Sequence, residues 1–103
     1  TVVSTPTKNR AIIDAGSKVL TSDLFGMNDH GYIVNFPELR ITQLTEEHGT
    51  IVSEQNTNLV IGQKIEIIPN HACVVTNMLN EVNLITEEKK LKKVKVIARG
   101  KVW

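Results

Sequence analysis

The apolar positions along this chain come in short bursts, and their spacing is that of strands. Arg10 to Asp14 is a compact run rich in β-branched side chains and closed by Gly16. Tyr32 to Asn35 follows Gly31 and stops before Pro37, and Arg40 to Thr45 carries Ile41 and Leu44 in imperfect alternation. Thr50 to Ser53 follows Gly49 and is expected to pair back on its predecessor as a hairpin. Lys64 to Ile68 alternates well between the Gly62-Gln63 turn and Pro69, and Glu81 to Ile85 runs into the turn-like Thr86-Glu87-Glu88-Lys89. The opening Thr1-Val2-Val3-Ser4-Thr5 also reads as strand. Near the end, Val94, Val96, Ala98 and Val102 share one parity, while Lys93, Lys95, Arg99 and Lys101 share the other, with Ile97 the exception. A period of two sends one set inward and the other to water.

Two segments depart from this pattern. Asp14 to Leu24 is polar, is broken by Gly16, and is predicted to be mostly loop. Between Asn70 and Val82, the residues Val75, Met78, Leu79 and Val82 follow helical spacing, which predicts a short helical turn with Asn70 as its N-cap. Roughly six to eight short strands separated by turn signals argue for a sandwich or barrel. No long amphipathic helix is available to cover a parallel sheet. The expected fold class is therefore all-β: a small barrel-like or sandwich domain with one short helical turn.

Composition narrows this picture without selecting a function. A chain of 103 residues, 41% hydrophobic and 22% charged, suits a single globular domain. It lacks an initiator Met and begins on strand-forming residues, so residues 1–103 are expected to be one domain of a longer chain. The formal net charge of +1 provides no global field to attract nucleic acid or a membrane. The aromatic fraction of 4% is too low for stacking platforms. No apolar run approaches the roughly 20 residues that cross a bilayer, and no signal peptide is apparent. A single Cys excludes an internal disulfide and suits a reducing compartment, so a cytoplasmic location is expected.

His71-Ala72-Cys73 carries the clearest chemistry. Imidazole nitrogen and thiolate sulfur are favoured zinc ligands. In a regular helix the two side chains would diverge by about 200°, so joint chelation requires them at the turn after Pro69-Asn70. Two protein ligands would leave coordination positions open, as a catalytic metal requires. The competing reading is a small packed thiol beside an incidental histidine. Glu46-Glu47-His48-Gly49 has a carboxylate beside an imidazole, suited either to supporting a metal ligand or to forming a solvated turn. His30 reads as a turn residue, and the lysines from Lys89 to Lys95 as a solvated face. Lys18 could form a Schiff base in principle, but nothing near it in the sequence depresses its pKa.

Pro69-Asn70-His71-Ala72-Cys73, Asp14-Ala15-Gly16-Ser17-Lys18, Glu46-Glu47-His48-Gly49 and the closing Ala98-Arg99-Gly100 occur in the order and spacing of a known domain. From about Arg10 onward the chain resembles the D-serine dehydratase-like C-terminal domain of D-serine dehydratases and D-threonine aldolases. These belong to the alanine-racemase-like, fold-type III pyridoxal-phosphate enzymes. The resemblance implies an N-terminal (β/α)8 barrel that binds pyridoxal phosphate, a homodimer whose site forms between barrel and β domain, and a divalent metal on His71 and Cys73. It implies no catalytic residue within this chain, and an isolated domain without activity. Cys73 favours zinc, because thiolate is softer than the aspartate common in the aldolases. The implied reaction is β-elimination of water from a β-hydroxy D-amino acid, with zinc on the substrate hydroxyl. Aldolase and racemase activities of the same family are the alternatives. Glu47, His48 and Tyr32 are candidates for supporting the ligands or lining the pocket.

Two readings of other classes compete with this one. A non-catalytic β-barrel binding module would hold no metal and would stand as a free gene of about this length. A single-strand nucleic-acid binder would act through Lys93, Lys95 and Lys101.

Overall fold

The computed structural model describes residues 1–101. Its centre is a four-stranded antiparallel sheet in the order β1-β2-β5-β4, formed by β1 (Val2–Thr7), β2 (Arg10–Ile13), β4 (Arg40–Leu44) and β5 (Gly49–Val52). Ala11, Ile51 and Ile41 stand opposite one another across three strands, and all are fully buried. Cross-strand partners share a face, so this row and Ile13 form the floor of the core. Ile13 lies opposite Gly49, where a Cβ would meet the Ile13 side chain at 3.1 Å and the Ala15 carbonyl at 2.8 Å. Gly49 is there for space. Pro6 falls in β1, at the edge of the sheet, where a missing N–H costs no ladder bond.

Over this floor lies a two-stranded sheet of β3 (Tyr32–Ile33) and β6 (Ile67–Ile68). Ile33 joins the buried cluster, with Ile65 and Ile67 packed against it. The alternation predicted for Lys64 to Ile68 is present as facing, but the ladder is only two pairs long. Its partner strand is stopped by Gly31 at φ 141° and Asn35 at φ 67°.

The polar stretch after Asp14, expected as loop, contains a four-residue helix, α1 (Ser17–Leu20), which buries Leu20. The second helix, α2 (Ala72–Asn77), falls where the 3.6-residue spacing placed it, and it lies against α1. Its N-cap is His71, not Asn70, and no side chain among the described residues caps it.

The last hairpin, β7 (Glu81–Ile85) with β8 (Leu91–Lys95), corrects the expectation for the C-terminal strand. That strand ends at Lys95, and alternation buries none of its residues; Leu91 is 72% exposed and Ile97 87%. Alternation creates an apolar face but cannot supply a cover for it. Val102 lies outside the described residues. The expected small β domain is therefore borne out, with open sheets and two short helices.

Candidate metal centre

The candidate ligands lie where the chain passes from an extended segment into α2. His71 has φ −137° and ψ 91°, and Cys73 is in the first turn of the helix. His71 thus lies outside the regular helix, so the angle between the two side chains is not fixed at the helical value. Cys73 is an exposed free thiol. It lines an open recess with Ala72, Thr76, Asn77, Val96 and Ala98, which brings the start of the Ala98-Arg99-Gly100 segment to the same place. That segment is tied down by the Gly100 N–H, which donates to Asn77 Oδ1 at 2.8 Å.

Asn70 positions this turn from the side. Its amide nitrogen reaches the carbonyls of Asp23, Leu24 and Asp29 at 3.4, 3.2 and 2.6 Å. The same loop presents Asp23 to His71, with Nδ1 and Oδ2 2.8 Å apart, and the Phe25 ring lies 5.0 Å from the imidazole between centroids. Asp23 also accepts the Phe25 N–H at 2.9 Å. The His71 hydrogen bond, followed by that N–H, holds the Asp23 carboxyl below its usual range. An ionised carboxylate only accepts, so Nδ1 of His71 donates. In the neutral ring, Nε2 then keeps the free lone pair.

The loop is itself anchored. Arg40 Nε donates to both Asp29 carboxylate oxygens at 3.0 and 3.1 Å, and its Nη2 lies 2.9 Å from one of them. Thr21, at the start of the loop, adopts φ 62° and accepts the Asp23 N–H at 3.2 Å. Asp23 and Phe25 were not singled out from the sequence, because a loop Asp 48 residues before its partner leaves no local signature.

The two other motifs form a joint. Gly16 packs so tightly under the β4–β5 turn that a Cβ would lie 2.4 Å from the carbonyls of Thr45 and Glu46. The Ser17 and Lys18 N–H groups donate to those same carbonyls at 2.8 and 3.2 Å, satisfying the start of α1. The Lys18 ammonium pairs with Glu47. That pairing raises the Lys18 pKa and lowers that of Glu47. A lysine held protonated is in the wrong state to attack a carbonyl, in keeping with its dismissal as a Schiff-base residue. His48 is exposed and its N–H closes the turn on Thr45 Oγ1 at 3.1 Å. Among the described residues, neither Glu47 nor His48 is hydrogen-bonded to His71. Tyr32 is exposed on β3 opposite Ile68, just upstream of His71. The His30 N–H donates to Ile41 O at 3.0 Å, and its Nδ1 is buried without a partner among the described residues.

An imidazole oriented by a carboxylate, with a free thiol nearby, suits a divalent ion of intermediate softness. Among the described residues no group of three or more His, Cys, Asp or Glu side chains is placed to hold one, so this chain offers a partial ligand set.

The small antiparallel β domain that carries this histidine and cysteine is a fold that known proteins share. The protein-family profile described as "Putative serine dehydratase domain" matches residues 1–85, and the chain belongs to that family. An uncharacterized protein of Mycobacterium tuberculosis is 34% identical over 94 residues, covering 89% of this chain and 71% of that protein. D-serine dehydratase of Dictyostelium discoideum is 32% identical over 105 residues, covering 88% of this chain and 27% of the enzyme. The crystal structure of D-threonine aldolase from Filomicrobium marinum superposes with a TM-score of 0.82 at 28% identity, over 99% of this chain and 27% of the aldolase. The chain thus spans about a quarter of the enzymes it resembles. Among the described residues, no helix is long and apolar enough to cross a membrane.

Proposed function

We propose that this chain is the metal-binding β domain of a pyridoxal-phosphate-dependent D-amino-acid lyase, most closely of the D-serine dehydratase type, with His71 and Cys73 as zinc ligands. The observation that carries the reading is the Asp23–His71 hydrogen bond, which commits Nδ1 and leaves Nε2 for a metal. When bound, zinc would polarise the substrate's β-hydroxyl, and pyridoxal phosphate would accept electrons released at the α-carbon. The residues of this chain hold and orient. Asn70 fixes the turn, Phe25 covers one side of the imidazole, and Cys73 faces the recess beside the Ala98-Arg99-Gly100 segment. Remaining ligands and the cofactor lysine are assigned to the rest of the enzyme, a barrel domain and the partner subunit of a homodimer.

The test is metal content and turnover of the full-length protein. Near-stoichiometric zinc is expected, together with pyruvate from D-serine in excess of glycine from D-threonine. A combined His71→Ala and Cys73→Ala change should abolish both zinc and lyase activity, and full activity in that metal-free variant would overturn the reading.

One observation favours a second reading. The Mycobacterium tuberculosis relative is matched over 71% of its length, which leaves little room for a barrel. A stand-alone binding module of this fold would carry no lyase activity in any form. A pyridoxal-phosphate barrel upstream in the same polypeptide would exclude it.

A further inference from the structure

The Asp23 carboxylate meets His71 from a different segment of the chain, and that segment is fixed on several sides. Arg40 grips Asp29 at its far end, the Asn70 amide gathers the carbonyls of Asp23, Leu24 and Asp29, and the Phe25 ring leans on the imidazole. His71 is 29% exposed and Asp23 42%, so the contact lies at the rim of the site rather than in the core. The sheet core does not require a carboxylate there.

We infer that Asp23 is a positioning residue for the metal site: it locks His71 in the Nδ1–H tautomer and fixes the ring so that Nε2 is the ligating atom. The inference rests on the reading of His71 and Cys73 as metal ligands and adds a residue that touches no metal itself. The physical reason is twofold. A neutral imidazole in water exchanges between tautomers and rotates about its side-chain bonds, and both freedoms must be given up on coordination. A carboxylate acceptor 2.8 Å from Nδ1 removes them in advance and makes Nε2 a stronger donor.

The experiment compares the full-length protein with its Asp23→Ala and Asp23→Asn variants by zinc titration against a competing chelator. It adds nitrogen-15 chemical shifts of the His71 ring in the metal-free protein. Asp23→Ala should weaken zinc about 10- to 100-fold and give a tautomer mixture, the loss typical when a supporting partner is removed. Asp23→Asn keeps an oxygen acceptor for Nδ1–H, so it should restore the single tautomer and most of the affinity. In a His71→Ala background, Asp23→Ala should cause no further loss, because the two act as one unit. Wild-type affinity in Asp23→Ala, or an equal loss in the His71→Ala background, would overturn the inference. Absence of zinc from the wild-type protein would instead overturn the metal reading. The tautomer shifts would then decide the positioning role alone, and an unchanged Nδ1–H tautomer in Asp23→Ala would end it.

Discussion

At the residue scale, the family motifs divide into groups that shape the fold and groups that face the site. Gly16 belongs to the first. Its backbone angles are open to any residue, but the atoms a Cβ would strike are main-chain carbonyls that cannot swing away. Gly16→Ala is expected to cost about 1–3 kcal/mol, the usual range for overpacking, read as a lower denaturant midpoint. Glu47 and Lys18 lock the same joint from outside. Glu47's pKa is lowered in the fold, so its contribution is present above the ordinary glutamate value and is lost as pH falls through the depressed one. Lys18's pKa is raised, so its share persists below the ordinary lysine value and fades as pH climbs through the raised one. Wild type should therefore exceed Glu47→Gln by a small, salt-sensitive margin at neutral pH, and that margin should vanish in acid. Paired thermal melts across pH at low salt would show it; a difference that persists below the carboxylate range would refute the pairing as its source.

At the element scale, the two halves of the chain differ in how they are held. β2 and β5 are central strands whose inward side chains are shielded on both sides of the ladder. Among the described residues β7 and β8 pair only with each other, and Ile85 and Leu91 at the turn end are 70% and 72% exposed. Two-stranded ribbons without a packed face are marginal in water. In this chain, hydrogen exchange followed by mass spectrometry should therefore show the slowest amides in β2 and β5 and markedly faster exchange through β7 and β8. Equal protection would mean that the hairpin is covered in solution and would refute this expectation. The sequence located β2, β5 and β7 by their apolar runs and turn signals, and placed the last strand further along the chain than β8 lies. It missed α1, whose four residues are held by the carbonyls of a distant turn and carry no periodicity of their own.

At the scale of the whole molecule, the candidate site forms where three stretches distant in sequence converge. At the turn into α2, Asp23 of the loop from Thr21 to Gly31 meets His71, and Ala98 of the returning segment lines the recess that holds Cys73. The predicted loss of zinc and turnover on removing His71 and Cys73 belongs to this scale, since the proposed activity would need metal ligands beyond those the described residues bring together. The local periodicity of the sequence determined the all-β class, most strand positions and the helical turn near Val75, because pleat and helix impose their spacing residue by residue. The His71-Ala72-Cys73 tripeptide stood out as a candidate in the sequence, because its two donors are separated by a single residue. Only the tertiary structure decided which histidine nitrogen is committed, which carboxylate commits it, and that Glu47 pairs with Lys18. Those outcomes depend on contacts across 29 to 48 residues of sequence, and no local pattern encodes a contact at that range.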